Sequence, residues 1–258
     1  MTASTPNLSG PNFNLEGKTA LITGAGRGIG LAVSQAWAAA GARVILVART
    51  ADEVRDAALY LNTQGAQAEW AALDAQDKPA MEALLREKGP VHVLFNNAGT
   101  NRPADFLEVK EEEFDVVFNL NVRAAFFVAQ AVARAMVASK IKGSIINVSS
   151  QMGLVGGKRR SVYCASKHAM EGMTKAMALD LAPHGIRVNT ICPTFIETPL
   201  TRPYLQDKQF MADVLGSIPL GRLGQVEDLT GAAVFLASDA SALMTGSALV
   251  VDGGWTAR

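Results

Sequence analysis

The stretch Thr23-Gly24-Ala25-Gly26-Arg27-Gly28-Ile29-Gly30 decides how this chain is read. An apolar run, Thr19–Thr23, leads into it, and an Ala-rich segment, Ile29–Ala40, leads out of it. Glycines at a strand-to-helix turn let the backbone bend tightly. They also let a pyrophosphate approach the helix N-terminus, where unpaired N–H groups and the helix dipole favour an anion. On its own the pattern also describes an ordinary tight turn. The surroundings separate the two readings: a strand before it, a helix after it, and then a second apolar run, Arg43–Ala48.

Working outward, short Val/Ile/Leu runs alternate with longer Ala-rich segments. The further runs are Ala68–Leu73, Val91–Phe95, Ser144–Ser149, Arg187–Cys192 and Ala248–Val251. Helix-like stretches between the runs include Ala51–Gln64, Glu111–Ala138, Val162–Leu181 and Val226–Ala237. Strand–helix alternation along a whole chain implies a parallel sheet with helices on both faces. Strands buried on both sides should be continuously apolar, as ALIT, VILVA and SIINV are. Thr50-Ala51-Asp52-Glu53 has the spacing of a capping box at the start of the second helix. The expectation is a doubly wound, Rossmann-like α/β fold with seven strands. It occupies 13–258 as a single dinucleotide-binding domain, behind a flexible tail at 1–12 (MTASTPNLSGPN).

Composition narrows the classes. A chain of 258 residues buries roughly 70% of its unfolded surface, enough for a core without staples. The 24 Lys and Arg against 24 Asp and Glu argue against a general nucleic-acid binder, and a neutral balance favours association between copies. Cys164 and Cys192 are too few for a disulfide framework and fit a reducing compartment. Met1–Lys18 lacks the organisation of a secretory signal, and no long apolar run announces a membrane span, so a cytoplasmic protein is expected. His92, His168 and His184 have no ligand spacing, so no metal site is expected.

A dinucleotide site usually places an acid at the end of the second strand, against the adenosine ribose. Here Ala48 stands there, followed by Arg49. A missing carboxylate and an added guanidinium favour a 2′-phosphate, hence NADP(H), with NAD(H) as the other possibility. Arg27 in the glycine turn is a second candidate cation on that side. The plainer alternative is two solvated arginines at element ends. Asp74, expected to end the third strand, either accepts from the adenine amine or caps the turn before Lys78-Pro79.

Tyr163 and Lys167 are four residues apart in a helix pattern and so share a face. A cation beside a phenol lowers a pKa that starts near about 10, which readies the tyrosine to exchange a proton with a hydroxyl or carbonyl. Ser150, at the end of a buried strand, is placed to hold that oxygen. A lone Tyr-x-x-x-Lys is more often a surface pair, so its company matters.

That company is extensive. The motifs are TGAGRGIG at 23–30, NNAG at 96–99, Asn121 in NLNVRAAF, Ser150 in NVSSQMG and Tyr163-Cys164-Ala165-Ser166-Lys167. They are joined by IRVN at 186–189, Pro193…Thr198 and VDGG at 251–254. With these the chain resembles the short-chain dehydrogenase/reductase family, from about Leu15 to Thr256. The resemblance implies strand order 3-2-1-4-5-6-7, a homotetramer, and hydride transfer between a secondary alcohol and a ketone. It implies that Tyr163 is the acid/base, that Ser150 orients the carbonyl, and that Lys167 lowers the pKa of Tyr163 and holds the nicotinamide ribose. Asn121 would anchor a proton-relaying water. Gly24, Gly28, Ile29 and Gly30 would form the pyrophosphate turn; Asn97, Ala98 and Gly99 would line the adenosine side. Ile196 and Thr198 would contact the carboxamide.

One departure is Pro193-Thr194-Phe195, where the family usually has Pro-Gly. A helical lid is expected at about 199–219. Beside the site, Gly156-Gly157-Lys158-Arg159-Arg160 offers three cations, either for an anionic substrate or as a solvated loop. Two substrate classes stay open, a sugar acid or polyol and a 3-oxoacyl thioester. The rival class is a non-catalytic dinucleotide sensor, which has no need of Ser150, Tyr163, Lys167 and Asn121 together.

Overall fold

Seven strands form one parallel sheet: β1 (Thr19–Thr23), β2 (Arg43–Ala48), β3 (Ala68–Ala72), β4 (Val93–Asn96), β5 (Ser144–Val148), β6 (Arg187–Pro193) and β7 (Ala248–Val251). Their order is β3-β2-β1-β4-β5-β6-β7, as the resemblance implies, and every neighbouring pair is parallel. The winding reverses between β1 and β4, where open α/β sheets leave a crevice beyond the carboxyl ends of the strands. These coordinates are a computed structural model that describes residues 10–257, so most of the tail expected at 1–12 lies outside the described residues.

The helices are α1 (Gly28–Ala39), α2 (Ala51–Thr63), α3 (Lys78–Lys88), α4 (Glu111–Phe118), α5 (Ala125–Ala138), α6 (Ser161–Leu181), α7 (Arg202–Leu205), α8 (Lys208–Ser217) and α9 (Glu227–Ala237). Side chains alternate across a strand, so each strand feeds two cores. On one face Ile22, Leu46, Phe95 and Ile146 pack against Val33 and Trp37 of α1, Val54 of α2 and Leu229 and Leu236 of α9. On the other, Leu21, Ile45, Val47, Leu94 and Ile145 meet Met81 and Leu84 of α3, Val128, Val132 and Met136 of α5 and Ala178 of α6. Trp37 is fully buried and meets Phe95 edge-on, with ring centres 5.5 Å apart. Its truncation to Ala would cost about 3–5 kcal/mol.

Two local expectations need correction. The stretch 111–138 is not a plain α-helix: a π-helical turn, Asn119–Ala124, separates α4 from α5 and carries Asn121. Such turns gather at functional sites because the extra residue re-aims side chains. Second, Thr50 occupies the N-cap of α2 but makes no side-chain cap bond. The capping box fails because Glu53 turns instead toward Arg27. The joined helical stretch 111–138 is long and apolar enough, by length and composition alone, to cross a membrane, with a mean hydropathy of 1.5 over its most apolar window. Half of that window is buried inside the domain, where Val128, Val132 and Met136 fill the second core.

Candidate active site

The glycine turn is built from both ends. Gly24 has φ +65°, a conformation L side chains rarely adopt, and a Cβ on Gly30 would lie 2.3 Å from the Gly24 carbonyl oxygen. Arg27 at the N-cap of α1 makes no side-chain cap bond, so the first-turn N–H groups are left for the crevice beside the turn. Asn97 locks the turn to β4: its Nδ2 donates to the carbonyls of Thr23 (3.0 Å) and Gly24 (3.2 Å). Buried Thr23 completes the clasp, its hydroxyl accepting from the backbone N–H of Asn97 and of Ala98. Thr23 opens the glycine motif in the sequence, but its clasp on Asn97 and Ala98 joins residues more than 70 positions apart and has no local signal.

A cavity of about 230 Å³ runs over this turn, lined by Gly24, Arg27, Gly28, Ile29, Arg49, Asp74, Asn97, Ala98 and Gly99. Those residues fit a dinucleotide: close backbone approach, an uncapped helix start and two guanidinium groups on one rim. The two arginines differ. Arg27 Nη1 lies 3.4 Å from Glu53 Oε1, whereas Arg49 is exposed and has no ion-pair partner among the described residues. Glu53 lines the same cavity, and sequence reasoning placed it only in a helix cap. Asp74 sits just past β3 and accepts from the Gln76 backbone N–H at 2.9 Å, so it caps a turn while lining the cavity.

A second cavity, of about 150 Å³, holds Ser150, Tyr163 and Lys167. Ile29, Asn97, Gly99 and Thr198 line both cavities, so the two share a wall. Ser150 follows β5; its hydroxyl donates to Gln151 Oε1 (2.9 Å) and accepts from the Met152 N–H (3.1 Å). Lys167 is buried, donates to the Val148 carbonyl at 2.7 Å, and lies 5.6 Å from the centre of the Tyr163 ring. Burial pulls the Lys167 ammonium down to about 8, against which Cys192 and Glu171 push weakly back.

The expectation that Lys167 lowers the pKa of Tyr163 is not met in this structure. Desolvation dominates and pushes the phenol up to about 12; the Ser150 hydrogen bond and the charge of Arg160 act the other way. The reason is geometric, since the Lys167 hydrogen bond goes to a backbone carbonyl.

Asn121, fully buried in the π-turn, donates from Nδ2 to the Thr100 carbonyl (2.9 Å) and to Ser166 Oγ (3.1 Å), and accepts from the Thr100 N–H (2.8 Å). It therefore ties the loop after β4 to the helix carrying Tyr163 and Lys167. His168, on the opposite side of α6, is exposed and its Nδ1 lies 2.9 Å from the Cys164 carbonyl.

The remaining wall comes from β6 and the segment beyond it. Ile196 is buried and bridges to Gly224; Thr198 is buried against Thr201. Thr194, the residue in place of a glycine, leaves its Oγ1 buried without a partner among the described residues, as is Asn101 Oδ1 in the same cavity. Phe195 packs against Phe210 and Trp255, with ring centres 5.6 Å apart in each case. The segment expected as a lid forms α7 and α8 and sends Tyr204 into the cavity wall.

The chain is similar to known proteins along almost its whole length. A family model described as enoyl-(acyl carrier protein) reductase matches residues 24–256. L-xylulose reductase of Bos taurus is 42% identical over 246 residues, covering 95% of this chain and 99% of that protein. Gluconate 5-dehydrogenase of Gluconobacter oxydans (strain 621H) is 39% identical over 248 residues, covering 95% and 96%. Among solved structures, a gluconate 5-dehydrogenase from Burkholderia cenocepacia J2315 in complex with NADP and tartrate superposes with a TM-score of 0.92. It is 36% identical and covers 96% of this chain and 98% of that one.

Proposed function

The chain belongs to the short-chain dehydrogenase/reductase family, and from that premise we propose that it is an NADP(H)-dependent oxidoreductase interconverting a secondary alcohol and a ketone. The observation that carries this reading is the shared wall: a cavity over the glycine turn adjoins one holding Ser150, Tyr163 and Lys167. A cofactor lying across that wall and a substrate beside Tyr163 would bring the two reacting carbons together.

When bound, NADP(H) supplies or accepts the hydride. The protein's own groups handle everything else. The Ser150 hydroxyl holds the substrate oxygen. Tyr163, protonated across the neutral range because burial raises its pKa, gives its proton to the oxygen as the carbonyl is reduced and takes it back in oxidation. Lys167 replenishes that proton and holds the nicotinamide ribose, its titration near 8 suiting exchange with solvent. Asn121, whose side-chain amide is held by Thr100 and Ser166, would anchor the water that relays protons from Lys167 to solvent. Gly24, Gly28, Ile29 and Gly30 would cradle the pyrophosphate, Asp74, Asn97, Ala98 and Gly99 the adenosine side, and Ile196 and Thr198 the carboxamide.

For the cofactor we favour NADP(H), because Arg49 is exposed on the cavity rim and has no ion-pair partner among the described residues. Between substrate classes, the unpartnered Asn101 Oδ1 and Thr194 Oγ1 favour a hydroxylated substrate over an acyl chain, which would leave both without hydrogen bonds. Residues 199–219 act as the lid of a catalytic domain at 13–258. Exposed Phe114, Val116 and Phe126 on α4 and α5 support assembly into a homotetramer. The two free cysteines support a cytoplasmic setting. The test is a panel of polyols, sugar acids and 3-oxoacyl thioesters, each followed by the absorbance of reduced cofactor; turnover of none of them contradicts the reading.

A further inference from the structure

Lys158, Arg159 and Arg160 look alike in the sequence, but the fold separates them. Lys158 and Arg159 are exposed, and Arg159 lies 3.6 Å from Asp105. Arg159 also takes φ +58°, which turns the chain so that the next residue points inward. Arg160 is only 6% exposed and lines the cavity of Ser150 and Tyr163. Its guanidinium lies between two lid rings, 5.6 Å from the centre of Tyr204 and 5.7 Å from that of Phe210.

What it lacks is a counter-ion. Among the described residues its hydrogen bond goes from Nη1 to the Arg159 carbonyl at 3.2 Å, and no carboxylate lies within 4.0 Å. A guanidinium has five N–H donors in a planar fork suited to a carboxylate. Burying a charge without a partner is costly, and buried charges are normally paired. Here desolvation pulls the guanidinium below its ordinary value. The missing anion must enter with whatever fills the cavity.

We propose that Arg160 determines specificity by binding the carboxylate of a hydroxylated acid, with Asn101 Oδ1 and Thr194 Oγ1 taking its hydroxyl groups while Ser150 and Tyr163 hold the reacting oxygen. The assignment rests on the reading of this cavity as an alcohol/ketone site. It also gives the lid a function: Tyr204 and Phe210 shield the ion pair from water and so strengthen it.

The test compares wild type, Arg160→Gln, Arg160→Lys and Arg159→Ala with gluconate and with the neutral polyol glucitol, using NADP⁺. Arg160→Gln lowers the ratio of kcat/KM for gluconate over that for glucitol by about 10- to 100-fold, mainly through KM. Arg160→Lys restores part of it, and Arg159→Ala leaves the ratio alone. Equal losses on both substrates, the same loss from Arg159→Ala, or a wild type that turns over glucitol but not gluconate overturns the assignment. If wild type oxidises neither substrate, the oxidoreductase reading is in trouble, and calorimetry of gluconate with the NADPH-loaded proteins decides the assignment separately. Binding by wild type that Arg160→Gln abolishes upholds it; equal binding by both, or by neither, overturns it.

Discussion

The Lys167 ammonium lies 5.6 Å from the centre of the Tyr163 ring and spends a 2.7 Å hydrogen bond on the Val148 carbonyl. The pair therefore shares a helix face without forming an ion pair. Each member is shifted against its charged form, because burial removes water from both.

That has a cost in stability with a defined pH dependence. Lys167 titrates near 8 in the folded chain and near 10.5 when unfolded, so between those values the unfolded state binds more protons and stability rises with pH. Below about pH 8 the whole penalty of the buried ammonium is present. Lys167→Met is expected to stabilise the protein at pH 7 by about 1–3 kcal/mol while abolishing turnover, and the gap should narrow as the pH rises from about 8 toward 10.5. Urea unfolding at pH 7 and 9.5 measures it. A gap that widens with pH contradicts the assignment of a depressed Lys167.

Glu53 competes for Arg27 at the cofactor rim. Glu53→Gln should tighten NADPH and leave NADH little changed. Arg49→Ala should weaken NADPH about 10- to 100-fold, the loss of a charged hydrogen bond to phosphate. Fluorescence titration with both cofactors checks the pair; parallel changes for NADH and NADPH would remove the 2′-phosphate from the explanation.

Gly30→Ala places a methyl group where only 2.3 Å separates it from the Gly24 carbonyl oxygen and 2.7 Å from Asn97 Nδ2. The turn must open, so both cofactors should lose affinity together while the sheet survives. Cofactor-induced shifts in Tm report this. An unchanged NADPH shift would mean the turn does not bind the pyrophosphate.

Asn121→Ala leaves the N–H and carbonyl of Thr100 without their side-chain partner in a part-buried place. Each orphaned group costs about 1–3 kcal/mol. Denaturant unfolding should register a loss of at least one such group, and wild-type stability would show that the π-turn is held by something else.

Much of the fold was legible because it rests on local signals. Apolar runs such as ALIT and SIINV mark strands, and the glycine turn marks where β1 becomes α1. Tyr163 and Lys167 were legible from a four-residue spacing, and Ser150 from the end of a strand. What escaped depends on contacts between distant residues or on backbone geometry. Arg27 and Glu53 meet across 26 positions, which defeats a capping-box reading made from four neighbours. Arg160 differs from Arg159 only through a left-handed residue that no composition announces. The sign of the Tyr163 shift depends on burial and on where one lysine spends its hydrogen bond.

We propose above all that Tyr163 moves the proton of an alcohol/ketone interconversion. It is tested most directly by the rate at which Tyr163→Phe oxidises NADPH with the best ketone of the panel, alongside the NADPH-induced shift in Tm. The expected result is a fall in kcat of about 10²- to 10⁴-fold with the NADPH shift retained. Turnover at the wild-type rate would contradict it.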